Sequence, residues 1–117
     1  MVAAGSTGNR DFALVRYNTD GSLDPTFGSG GKVTTAMGAT GNDHAYAVAI
    51  QANGKIVVAG YSSGDFAIAC YNADGTFGTD GKVKIDFGGF DNAEAVAIQS
   101  DGKIVAAGGT NEDYFAL

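Results

Sequence analysis

Tryptophan is absent from this chain of 117 residues, and cysteine, proline and histidine occur once each. A lone cysteine, Cys70, excludes an intrachain disulfide and a cysteine-ligated metal cluster. With a single proline and no low-complexity tract, the 19 glycines imply many tight turns, not disorder or a collagen helix. Long apolar runs are missing too: the longest, "AYAVAI" at 45–50, is far short of the roughly 20 residues that span a bilayer as a helix. Basic residues are scarce, seven against thirteen acidic ones, for a formal net charge of −6. Nucleic acids and anionic membranes reward positive patches, so neither a nucleic-acid partner nor membrane insertion is expected.

What the chain does have is repetition. "AVAIQANGKIVVAG" at 47–60 returns as "AVAIQSDGKIVAAG" at 95–108, and "VAAG" at 2–5 is a further echo. "DFAL" at 11–14 matches "DFAI" at 65–68, and "GKV" at 31–33 matches "GKV" at 81–83. The copies lie about fifty residues apart, and their length differences fall in polar, glycine-rich joints, as loops between fixed strands allow.

Each full copy holds four strand-like runs, "AYAVAIQ", "KIVVAGY", "DFAIACYN" and "GKVKIDFG", separated by the turn signals "ANG" or "SDG", "SSGD" and "NADG". Alternation sets Tyr46, Val48 and Ile50 against Ala45, Ala47 and Ala49 in the first run. It sets Phe66, Ile68 and Cys70 against Ala67, Ala69 and Tyr71 in the third. Both faces are apolar, so these sheets are covered on both sides. In the last run Val83, Ile85 and Phe87 alternate with Lys82, Lys84 and Asp86, which predicts a half-exposed outer strand. The first run is expected to be the most buried.

Repeated four-stranded sheets stacked face to face make an all-β chain of antiparallel β-propeller blades, with a sandwich of duplicated hairpins as the alternative. With strands lettered a to d outward, the chain reads b-c-d, a-b-c-d, a-b-c. That gives one partial-propeller domain over 1–117, with blades at about 1–38, 45–88 and 93–117.

The linked motifs "DFAL-RYN-DGSLD-TFG", "GKV" and "AVAIQ-DGKIVVAG" resemble the delta-60 repeat family, β-propeller domains of unknown function, and the strand order resembles NHL-type blades. The resemblance implies a propeller fold and a secreted or cell-surface setting. It carries over no catalytic residue. Copy two departs from the pattern in lacking "SLDP", which shortens one loop.

In such a ring the d–a and b–c connections share one face around the axis. Here these are 38–44, 88–93, 5–10, 60–64 and 108–112, which contain "GNDH" and "GFDN". Asp43, His44, Asp91 and Glu94 are therefore the candidate ligand-binding residues. Asp43, Asp91 and Glu94 are the candidate ligands of a divalent cation such as calcium. The Asn-Asp and Asp-Asn pairs equally suit plain turn hydrogen bonding. His44, the sole imidazole, could act as a base towards a serine on the same face, and Ser6, Ser62 and Ser63 qualify. The candidate catalytic set is His44, Ser62 and Asp43, although no GxSxG elbow is present. "NTDGSLD" at 18–24 lacks the acidic spacing of a calcium loop and reads as a turn. The "GSGGK" and "GTDGK" glycines precede no helix that would favour a phosphate. Cys70 aligns with Arg16 and reads as packing.

The leading functional reading is a non-enzymatic binding or scaffold module for a small molecule, a glycan or a protein. A small esterase-like hydrolase or metal-dependent enzyme at the axial mouth is the runner-up, and a purely structural repeat the third. Blades cannot stand with open apolar faces, so a homodimer closing a six-bladed ring is expected.

Overall fold

Turn chemistry spaces the strands. In "YNTDGS" the Gly21 amide donates to the Asn18 carbonyl at 3.0 Å, the Asn18 amide to Ser22 at 2.8 Å, and the Asp20 carboxylate accepts the Ser22 amide at 2.9 Å. "YNADGT" repeats this with Gly75, Asn72, Thr76 and Asp74. Gly21 and Gly75 sit at φ +88° and +90°, a backbone region that costs glycine nothing. The "NTDGSLD" segment is thus a hairpin turn.

The structure, a computed structural model, describes the backbone of residues 1–8, 10–37, 42–85, 91–110 and 115–116. Side chains are described there except at 77–80, 83–85, 110 and 115–116. The elements are β1 (Val2–Ser6), β2 (Phe12–Arg16), β3 (Lys32–Thr35), β4 (Asp43–Ile50), β5 (Ile56–Ser62), β6 (Asp65–Tyr71), β7 (Phe77–Ile85), β8 (Asp91–Ile98), β9 (Ile104–Thr110) and β10 (Phe115–Ala116). They form three antiparallel sheets in the orders β1-β2-β3, β4-β5-β6-β7 and β10-β9-β8. Each sheet is a meander, and β4 and β8 play the part of strand a.

Two cores lie between the three sheets. Phe12, Leu14, Phe27, Met37, Ala45, Ile56, Val58, Ala67, Ala69 and Tyr71 join the first sheet to the second. Ala59, Phe66, Ala93 and Ala106, with Ala47, Ile68 and Val96, join the second to the third. Strand β6 divides as its alternation predicts, with Ala67, Ala69 and Tyr71 towards one neighbour and Phe66 and Ile68 towards the other.

Strand β4 does not. Its register to β5 jumps between Ala45, opposite Gly60, and Ala47, opposite Ala59, so Tyr46 is an inserted bulge residue. The bulge resets the parity, and Ala45 and Val48 pack into the same core. Strand β8 repeats the device, with Glu94 between Ala93 and Ala95. The enabling residue stands across the ladder: a Cβ on Gly60 would lie 1.9 Å from the His44 carbonyl oxygen, and one on Gly108 1.8 Å from that of Asn92.

Burial also ranks the strands differently from expectation. β5 is buried almost throughout, whereas Ile50 and Tyr46 of β4 are 55 % and 53 % exposed. Strand a has a hydrogen-bonded neighbour on one side only; β5 and β6 have neighbours on both sides and sheets on both faces. On β7, Lys82 is exposed and donates to the Ala36 carbonyl at 2.9 Å. The Lys84 side chain and Asp86 lie outside the described residues.

Polar ties reinforce the first junction. The buried Tyr71 hydroxyl meets Thr35 Oγ1 at 2.9 Å. Arg16 lies 4.6 Å over the Phe27 ring, pairs with Asp24 at 2.9 Å, and donates to the Ala73 carbonyl in the turn between β6 and β7.

Candidate functional site

The first residue of each strand a is anchored to the preceding sheet's b–c turn. The Asp43 amide donates to the Arg10 carbonyl and the Asp91 amide to that of Gly64, both at 2.6 Å. This brings the β1 end beside the β4 start. There Ser6 Oγ lies 3.0 Å from His44 Nδ1. His44 stacks on Tyr61 with ring centroids 4.8 Å apart, and Tyr61 on Tyr46 at 5.7 Å. Arg10 Nη1 reaches Asn42 Oδ1 at 3.5 Å nearby. Burial and the adjacent Tyr46 hold the Tyr61 phenol above its ordinary 10.0, so it is a neutral hydrogen-bonding group at physiological pH.

The candidate residues divide into two kinds. Asp43 and Asp91 are fully buried. Asp43 Oδ2 accepts the Met37 amide at 2.8 Å, while its Oδ1 has no hydrogen-bond partner among the described residues. His44 is half-buried and Glu94 exposed, its Oε1 accepting from Asn92 Nδ2 at 3.0 Å. No group of three or more His, Cys, Asp or Glu among the described residues is placed to hold a metal ion. Asp43, Asp91 and Glu94 fall in no such group among the described residues.

Ser62, the serine of the candidate catalytic set, lies apart from the His44 ring contact. Ser62 is opposite Asp43 in the β4–β5 ladder and fully buried; the serine beside His44 is Ser6, on the neighbouring sheet. Cys70 is half-buried, and burial raises its thiol above the ordinary 9.0, which disfavours the reactive thiolate. At the opposite end of the sheets, Gln51, Asn53, Ile98, Gln99 and Gly102 help line an open cleft of about 300 Å³ between the two a–b turns.

Sequence reasoning missed Tyr46 and Tyr61 as site residues. The available signal was the glycine inside the "IVVAGY" strand pattern, since an interior strand glycine marks a bulge or a close backbone approach.

Residues 1–27 and 51–77 match a family model described as a domain of unknown function (DUF5122) β-propeller. Both matched segments begin before a strand b and run through strand c into the turn beyond it. The chain is made of β-propeller blades. No curated protein matches it. In propeller terms, the Ser6–His44–Tyr61–Tyr46 group straddles the junction of the first two blades, at the end carrying the b–c turns.

Proposed function

We propose that this propeller chain, of delta-60 repeat type, is a non-enzymatic binding module whose ligand face is the Ser6–His44–Tyr61–Tyr46 group, and that its ligand is a glycan. The observation that supports it is the half-exposed Tyr46 ring stacked in line with Tyr61 and His44. An open aromatic face suits the C–H face of a pyranose, and Ser6, Asn42 and Arg10 ring it with hydroxyl-seeking groups. Titration with an oligosaccharide panel, followed by NMR shifts of the tyrosine rings, tests this. Tyr46→Ala should weaken binding at least about tenfold, the loss of roughly 1.4 kcal/mol, and leave the unfolding midpoint nearly unchanged. Undiminished binding in that variant would refute the assignment.

The module is further proposed to act as a homodimer closing a six-bladed ring. Ala95 and Ala97 of β8 are exposed, while the matching Ala47 and Ala49 of β4 are partly covered. A further blade would cover them. A monomeric mass by light scattering at micromolar concentration would count against it.

The Ser6–His44 hydrogen bond favours a second reading, ester hydrolysis with Ser6 as nucleophile and His44 as base. It is the weaker one, because the Asp43 carboxylate is turned to the Met37 amide, from which its Oδ2 accepts, and it makes no hydrogen bond to the His44 ring among the described residues. Any turnover should vanish in His44→Ala; the expected result is no turnover to lose.

A further inference from the structure

The a–b turns of the second and third blades are one turn built from two sequences, Gln51-Ala52-Asn53-Gly54-Lys55 and Gln99-Ser100-Asp101-Gly102-Lys103. In the second blade the Gln51 amide donates to the Lys55 carbonyl at 2.8 Å, the Gly54 amide to the Gln51 carbonyl at 2.9 Å, and the Lys55 amide to Asn53 Oδ1 at 3.0 Å. The third blade repeats all three bonds at the same lengths, with Asp101 Oδ1 as the last acceptor. Gly54 and Gly102 share φ +86°. A carboxylate thus stands in one turn where a carboxamide stands in the other, and the backbone does not register the difference.

Sequence chemistry singles out the carboxamide. Of the seven asparagines in the chain, only Asn53 is followed by glycine. Glycine has no Cβ to hinder its amide nitrogen, so here that nitrogen most readily reaches the carbonyl carbon of the preceding side chain. Ala52, Asn53 and Lys55 are exposed, and a solvated turn tip opens locally at little cost in free energy. The Gly54–Gln51 and Lys55–Asn53 bonds part in that opening. The closed turn therefore slows the attack without forbidding it.

We propose that Asn53 is a self-modifying site, whose deamidation converts the second-blade turn into the form already present in the third. The Gly54 nitrogen attacks Asn53 Cγ, and the new carbon–nitrogen bond replaces the one to the side-chain nitrogen. That nitrogen leaves as ammonia, taking the proton given up by Gly54. Water then opens the cyclic imide. Cleavage of the new bond yields aspartate, and cleavage of the old peptide bond yields isoaspartate, whose main chain is longer by one carbon. The aspartate product keeps every bond of the turn, as Asp101 does. Asn53 lines the cleft between the two a–b turns, where every lining residue is uncharged. Modification sets a carboxylate at its edge, with Lys55 placed as Lys103 is when its Nζ lies 3.8 Å from Asp101 Oδ2. The cleft is at the opposite end of the sheets from the tyrosine group, and the proposal does not depend on the glycan reading.

The test ages the full chain at physiological temperature in mildly alkaline buffer and follows it by ion exchange and by mass-spectrometric peptide mapping. A more acidic species should accumulate, with its new carboxylate at residue 53. Conversion there should run at least about tenfold faster than at Asn72 or Asn92, which precede alanine. The chain unfolded in guanidinium chloride should convert faster still. Asn53→Gln, whose longer side chain cannot close the same ring, should stop the acidic species from accumulating. Asn53→Asp should co-elute with the aspartate product and match the parent in unfolding midpoint and in amide NMR shifts outside 51–55. A folded chain that keeps Asn53 intact while the unfolded one converts would overturn the proposal. So would an acidic species that persists in Asn53→Gln, or a lowered midpoint in Asn53→Asp.

Discussion

Ile50 and Ile56 face each other across the β4–β5 ladder, and a pair of alanine substitutions there tests the blade arrangement directly. Ile56 is 1 % exposed and Ile50 is 55 % exposed. Isoleucine to alanine removes three carbon atoms, and roughly 0.8 kcal/mol per buried methylene gives about 2.4 kcal/mol of lost transfer energy at Ile56. The cavity left between the first two blades adds to that, for an expected loss of about 3–4 kcal/mol. At Ile50 less than half the side chain is out of water and no cavity forms, so about 1 kcal/mol or less is expected. Urea unfolding at one fixed protein concentration measures both, with the shift in midpoint read at constant slope. The substitutions share residue type, blade and cross-strand position, so local β-propensity cancels and burial alone separates them. Equal shifts would refute the burial ranking of strand b over strand a.

Tyr71→Phe should cost about 1–3 kcal/mol, because it leaves the buried Thr35 hydroxyl without its partner; a Thr35→Val, Tyr71→Phe double variant should recover part of that loss, and a melt showing none would separate the hydroxyls from the blade junction. Acid should weaken the fold through the turns. The Thr26 hydroxyl and amide, with Arg16, hold Asp24 below its ordinary 3.8, and the Thr76 hydroxyl and amide do the same for Asp74. Their contribution is fully present above the unfolded value and is lost as pH falls through the lower folded values. Unfolding midpoints should therefore hold from neutral pH down to about 5 and drop below about 4, with a smaller drop in Asp24→Asn, Asp74→Asn.

The fold was legible because the chain states its plan more than once. Two copies of the Asn-x-Asp-Gly-Ser/Thr turn and two of the Gln-x-x-Gly-Lys turn mark the hairpins, and the large and small faces of β6 name its two neighbours. The bulge was not legible by counting residues in twos. "AYAVAI" is apolar at every position, so a one-residue slip leaves no polar residue facing the core to betray it. The candidate site was half-visible. His44 stood out as the lone imidazole, but its partner is a serine of another blade. The Ser6–His44 contact comes from how blades stack, which spacing within one repeat does not encode.

The bulge carries a consequence for how such a chain can vary. Residues flanking it are held by the core and by a glycine recess, and their identities scarcely differ between β4 and β8. The bulged residue itself opposes no partner, and there the two blades diverge completely, to Tyr46 in one and Glu94 in the other. Each full inner strand thus offers one position where side-chain chemistry is uncoupled from folding. A ring of such blades would present a circle of independently replaceable groups, so that recognition could be rewritten one blade at a time while the scaffold beneath it stayed the same.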